Sequence, residues 1–179
     1  MKALLAVVAA FFLLLPLLHR AGLRFNPTPS LPKGIYRIAP GAPERGDLVA
    51  FCLESPVWTS LARERGYLGS GSCPSGLRPL LKRLAGLPGD TVMVTPDGIQ
   101  IKSAAGSVSV WSAPVRREDS MGRPLPESSL RAGVIPDGMA LVLAGHPGSF
   151  DSRFFGPVPL VGMTRVEPVF TFNQGEDHE

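Results

Sequence analysis

Charge is scarce in this 179-residue chain: 18% of residues are Asp, Glu, Lys or Arg, and the formal net charge is only +3. No long basic run with interleaved aromatics occurs, so a nucleic-acid-binding surface has no support. Cysteine is scarcer still. Cys52 and Cys73 are separated by a Gly/Ser-rich stretch with no histidine at ligand spacing, which argues against a zinc site and leaves no metal or cofactor to expect. In an exported domain the two would pair, closing a loop worth roughly 3 kcal/mol in the chain-entropy model; the alternative is two unpaired core thiols. No internal repeat or heptad is present. What the chain does have is 20 glycines and 19 prolines. That excess of turn formers over helix formers favours a mainly β fold with many loops, and the length suits one core-bearing domain.

The one long apolar run spans residues 3–18 and is somewhat shorter than the roughly 20 residues a hydrocarbon core asks of a helix. His19-Arg-Ala-Gly-Leu-Arg24 follows it without a clear small-x-small cleavage site, so the run reads as an uncleaved membrane anchor over residues 1–20, the alternative being a removed signal peptide. Arg20, Arg24, Lys33 and Arg37 follow the span and only Lys2 precedes it, which by the positive-inside rule alone would keep the following domain inside. A short N-terminal tail can stay inside while a long domain is exported, with those cations resting on anionic headgroups. The expected organisation is the anchor, a domain over 21–172, and a polar, acidic tail over 173–179.

Within the domain, strands are expected over 36–39, 47–52, 80–85, 91–94, 99–101, 107–111 and 139–143, with a closing strand over 160–166. The turns Gly86-Leu-Pro-Gly-Asp90 and Thr95-Pro-Asp-Gly98 suggest consecutive hairpins. Residues 53–79 hold a helical turn over 58–65 and read as an excursion stapled by the cysteines, with no motif that carries chemistry.

Two segments do carry chemistry: Asn26-Pro-Thr-Pro-Ser-Leu-Pro-Lys-Gly-Ile-Tyr36 and Leu81-Lys-Arg-Leu-Ala-Gly-Leu-Pro-Gly-Asp90. A serine hydroxyl needs a base, and lysine serves as one only when desolvation leaves it neutral. Lowering a lysine from about 10.4 to about 7.5 takes roughly 4 kcal/mol of bias against the ammonium. Strand alternation puts Leu80, Lys82 and Leu84 on one face, so Lys82 is flanked by leucines if the strand forms; a solvent-facing lysine is the ordinary alternative. Ser30 lies in a backbone restricted by Pro29 and Pro32, and Thr28 can aim a hydroxyl toward the same spot as the Ser30 amide, an arrangement suited to an oxyanion. The bland readings are a linker serine and a turn hydroxyl. Lys33 beside Gly34 reads as an exposed, charged neighbour, and His146, between Gly145 and Pro147, has no well-placed acid for a Ser/His pair.

Taken together, these segments resemble the boxes of bacterial type I signal peptidases, and more closely the conjugative-transfer, TraF-type branch that processes pilin precursors of type IV secretion systems. The pattern Asn26-x-Thr28-x-Ser30-x-Pro32-x-Gly34-x-Tyr36 is similar to the nucleophile box of that branch, and Leu81-Lys82-Arg83 with Gly86-x-Pro88-Gly89-Asp90 to the box of the general-base lysine. Gly46-Asp-Leu-Val-Ala-Phe51 resembles the strand between them, and Asp119-Ser-Met-Gly-Arg-Pro-Leu125 a segment of the conjugative branch. Ser149-Phe-Asp-Ser-Arg153 resembles a third box, in which the resemblance implies that Ser149 supports the lysine and Asp151 and Arg153 brace the site. As a pair, Asp151 and Arg153 read either as bidentate partners or as a loop ion pair of little worth. Ala144-Gly-His-Pro-Gly148 stands where general signal peptidases carry an acidic Gly-Asp-Asn, which favours the specialised branch.

The resemblance implies a signal-peptidase-like β domain on one transmembrane helix in the bacterial inner membrane, with catalysis on the periplasmic side. Ser30 would attack after a small residue of a membrane-inserted precursor, and Lys82 would carry the proton. The alternatives are a general secretory signal peptidase, a variant that joins the new termini into a ring, and a non-catalytic scaffold domain of a secretion apparatus.

Overall fold

A computed structural model describes residues 22–172. The anchor expected over 1–20 and the tail over 173–179, with His19 and His178, lie outside the described residues. No helix among the described residues is long and apolar enough to cross a membrane.

The domain is mainly β. Seven strands form one antiparallel sheet in the order β1 (Leu23–Asn26), β2 (Gly34–Ile38), β11 (Thr164–Thr171), β3 (Leu48–Phe51), β4 (Leu80–Gly86), β9 (Met139–Leu143) and β10 (Val158–Pro159). A second, four-stranded sheet runs β7 (Val108–Trp111), β6 (Gly98–Lys102), β5 (Thr91–Thr95) and β8 (Gly133–Val134). Two helices, α1 (Pro56–Glu64) and α2 (Ser152–Phe155), complete the described elements.

β5, β6 and β7 are successive hairpin neighbours, but β4 and β5 do not pair across Gly86-Leu-Pro-Gly-Asp90. β4 is already taken on both edges by β3 and β9, so this turn hands the chain from one sheet to the other. The buried Asp90 carboxylate fixes it, accepting from the Leu87 and Ala104 amides and pairing with Arg45 at 2.6 Å. Burial alone would raise the Asp90 pKa; Arg45 and those amides outweigh it and hold the carboxyl below its usual value. The closing strand also departs from expectation. Gly162 adopts φ +83°, a left-handed turn that bends the chain there, so β11 starts at Thr164 and continues to Thr171.

β11 lies between β2 and β3, which makes 36–39 and 47–52 a strand-loop-strand unit. Close packing of β11 on β2 explains Gly34: a Cβ there would lie 2.1 Å from the Phe170 carbonyl oxygen. β9 is apolar on both faces because it separates two cores. Ala140 and Val142 pack with Val49, Phe51, Trp58, Leu84 and Phe154, whereas Leu141 and Leu143 pack with Val92, Ile99 and Ile101. Each such leucine contributes about 2 kcal/mol by leaving water. A Cys52–Cys73 disulfide closes the excursion that carries α1, so the cysteines are not unpaired core thiols.

Candidate active site

Ser30 sits in the short loop joining β1 to β2, and the side chain that shapes this loop is Asn26, buried at the last position of β1. The Asn26 Nδ2 group donates to the carbonyls of Thr28, Leu31 and Pro32 at 3.1–3.2 Å. Its Oδ1 accepts from the Thr28 amide at 3.2 Å and the Thr28 hydroxyl at 2.7 Å. From below, the buried Tyr36 hydroxyl donates to the Pro32 carbonyl at 2.6 Å. Burial pushes the Tyr36 phenol above its usual pKa, which keeps that donor proton in place. A loop with three prolines and few backbone donors thus gains a fixed shape from side chains on the strands that flank it.

Lys82 enters from β4. The alternation of that strand turns Leu80, Lys82 and Leu84 inward, and Lys82 is only 4% exposed. Its Nζ lies 2.9 Å from Ser30 Oγ, and Thr28 Oγ1 lies 3.2 Å from the same atom. Desolvation lowers the Lys82 pKa from 10.5 to about 8; Asp151 acts against it and Arg153, more weakly, with it. A bias of this size is about 3 kcal/mol toward the neutral amine, and it leaves roughly a quarter of the amines neutral at pH 7.5 against one in a thousand for an ordinary lysine.

The third box lies beneath this pair. Asp151 and Arg153 are buried and doubly bonded, Nε to Oδ1 at 2.9 Å and Nη2 to Oδ2 at 2.7 Å. Asp151 also accepts from the Ala144 amide, and Arg153 also donates to the carbonyls of Ala144 and His146. It is a buried brace joining the 144–149 loop to α2, not an exposed loop ion pair. Ser149 is buried on the pocket lining, yet its hydroxyl has no hydrogen-bond partner among the described residues. His146 also lines the pocket, with its Nδ1 accepting from the Gly148 amide at 3.0 Å. Lys33 is half-buried, not exposed.

Ser30 and Lys82 open into a pocket of about 220 Å³ whose apolar floor includes Leu68, Leu80, Phe150 and Phe154. Two further segments, to which sequence reading assigns no role in the site, complete the lining. Tyr67 and Leu68 come from the disulfide-closed excursion, and Arg116, Glu118, Asp119, Ser120 and Leu125 from the loop between β7 and β8. Asn26 was visible only as a motif position. Nothing in its local sequence says that its side chain would organise the Ser30 loop.

A buried lysine against a serine at the end of an apolar cleft is an arrangement suited to acyl transfer. The family model described as signal peptidase, peptidase S26, matches residues 1–166, and the chain belongs to that family. Within the family, its similarity runs to the TraF branch. It is 39% identical over 157 residues to the conjugal transfer protein TraF of Agrobacterium fabrum strain C58, covering 85% of this chain and 84% of that one. It is 34% identical over 156 residues to a plasmid transfer protein TraF of Escherichia coli, covering 86% and 85%. Among solved structures, a signal peptidase I from Enterococcus faecalis V583 is 26% identical with a TM-score of 0.36, covering 74% of this chain and all of that one.

Proposed function

We propose that this chain is a membrane-anchored serine endopeptidase that cleaves a precursor protein of a conjugative transfer system, most directly a pilin precursor, with Ser30 as nucleophile and Lys82 as general base. The observation that carries this reading is the 2.9 Å separation of Lys82 Nζ from Ser30 Oγ with Lys82 buried. Neutral Lys82 accepts the Ser30 proton as Oγ attacks the carbonyl carbon. The oxyanion is held by the Ser30 amide and by the Thr28 hydroxyl, which must first turn away from Asn26 Oδ1, the acceptor it now serves. Lys82 then protonates the leaving amine. Neutral Lys82 then takes a proton from a water that attacks the acyl ester, and returns it to Ser30 Oγ as the ester bond breaks.

The site is read as periplasmic and bilayer-facing. The disulfide fits an oxidising compartment. Phe25, Ile35 and Phe170 stand in one cross-strand row on β1, β2 and β11, all exposed, with Phe172 packed edge-on against Phe170. This row begins on β1, the first described strand, and its exposed aromatics fit a face resting on lipid.

Intact-mass analysis tests the reading after co-expression of a pilin precursor or a secretory preprotein with the chain, its Ser30→Ala variant or its Lys82→Ala variant. Cleavage of the pilin alone, lost in both variants, is the expected result. Cleavage of both precursors means a general signal peptidase, and a product lighter by one water means ring closure. Unchanged masses in every case would overturn the enzymatic reading in favour of a scaffold.

A further inference from the structure

One loop of the pocket lining is organised around a buried carboxylate. Residues 117–125 fold back on themselves, with the Leu125 amide donating to the Arg117 carbonyl and the Asp119 amide to the Arg123 carbonyl. Asp119 Oδ1 accepts from the amides of Met121 and Arg123, which sets the turn. Its Oδ2 faces the excursion, accepting from the Tyr67 hydroxyl at 2.5 Å, Arg65 at 3.2 Å and Arg123 Nε at 2.7 Å. Arg65 reaches past it to the Pro124 carbonyl at 2.8 Å, and the Arg123 guanidinium lies over the Tyr67 ring. The carboxylate side chain is 6% exposed although most residues around it in the loop are open to solvent. Burial works against its charge, but the Tyr67, Arg123 and amide donors hold its pKa well below the usual range, so it stays ionised at any working pH.

This knot joins the loop to a segment that is itself fastened by Cys52–Cys73. Neither partner belongs to the two β-sheets, yet together they supply Tyr67, Leu68, Glu118, Asp119, Ser120 and Leu125 to the pocket that Lys82 also lines. The placement of these lining residues therefore rests on the bonds between the two segments. We propose that Asp119 is a specificity-determining positioning residue: by fastening the 116–125 loop to Tyr67 and Arg65 it holds the cleft narrow, so that the precursor is accepted only with a small side chain before the cleaved bond. This rests on reading the Ser30–Lys82 cleft as a peptidase site.

The test uses the full chain in detergent with two peptides that span the precursor junction and carry alanine or leucine before the cleaved bond. In Asp119→Ala the preference for alanine over leucine in kcat/KM is expected to fall at least about tenfold, the scale on which a pocket reads one or two methylenes. The alanine peptide is expected to lose mainly in KM, with the midpoint of the pH–rate profile where it is in the wild type. Asp119→Asn, which keeps a side-chain oxygen to accept from the Met121 and Arg123 amides, and Tyr67→Phe, which removes the far end of the tie, should move the preference in the same direction by smaller factors. They replace Asp119→Ala should that variant not fold. Hydrogen exchange at the Met121 and Arg123 amides reports whether the loop has loosened. A loosened loop with the preference unchanged overturns the proposal, and so does a loss confined to kcat with a displaced pH midpoint. Should the wild type cleave neither peptide, the peptidase reading fails by itself; the ratio of the two peptides' affinities for Ser30→Ala with and without Asp119→Ala then decides the loop's role, a falling ratio upholding it and a constant one overturning it.

Discussion

The wall of the cleft that carries Ser30 and Lys82 is built from strands and one short loop, whereas a second part of its lining is built from connections. On the first wall, Lys82 is placed by the alternation of β4 and Ser30 by a loop that Asn26 and Tyr36 fasten to β1 and β2. On the second, Tyr67 and Asp119 lie 52 residues apart in sequence, on segments tied to each other by the Asp119 carboxylate and the Arg65–Pro124 hydrogen bond. Lys82 is fixed by the sheet and Ser30 by a loop fastened to it, while the bonds of the second wall touch neither residue. Changes on the first wall should therefore appear in kcat and its pH dependence, and changes on the second in KM and selectivity.

Lys82→Met breaks the first wall most completely. Cleavage should fall by a factor of about 1,000 or more, while stability at pH 7 rises by up to about 3 kcal/mol because a buried ammonium is removed. The sign follows from linkage. In the unfolded chain Lys82 titrates near 10.5 and in the folded one near 8, so the wild type is penalised below about 8 and recovers stability as pH rises from 8 toward 10.5. Urea melts of both proteins at pH 7 and pH 10 would reveal this, as a gap that closes at the higher pH.

Arg153→Gln should cost about 3–5 kcal/mol by stranding the buried Asp151 carboxylate. It should also move the pH–rate midpoint upward, because Asp151 raises the Lys82 pKa and its counterweight is gone. A midpoint moving downward would show that the brace acts on Lys82 in another way. Asn26→Ala should leave Lys82 buried but loosen the Ser30 loop, lowering kcat about 10- to 100-fold with the midpoint unmoved. Steady-state kinetics across pH separates these two variants.

On the second wall, replacing Cys52 and Cys73 by serine should lower stability by about 3 kcal/mol and raise KM, with little change in the pH midpoint. The smallest effect is expected outside the cleft. Changing Phe25, Phe170 and Phe172 to serine should weaken sedimentation of the domain with anionic vesicles and leave cleavage of a soluble peptide as it was.

The contrast between the walls also explains what the sequence made legible. Period-two alternation is local, so the inward set Leu80, Lys82 and Leu84 could be read directly, as could the unbroken apolar run of β9. Which strand pairs with which is not local. The insertion of β11 between β2 and β3 and the division of β4 and β5 between two sheets left no trace in the turns. β1 was missed because four residues following an apolar run give no periodicity to detect. The Asp119 knot was missed because a carboxylate in a Gly/Pro-rich loop looks solvated until its partners arrive from a distant segment.

The central claim is that burial holds Lys82 close enough to neutrality to take the Ser30 proton. Nitrogen-15 NMR titration of labelled lysine, with Lys82 assigned by its loss in Lys82→Met, measures this directly. A midpoint near 8 is the expected result, and a midpoint near 10.5 would contradict the account.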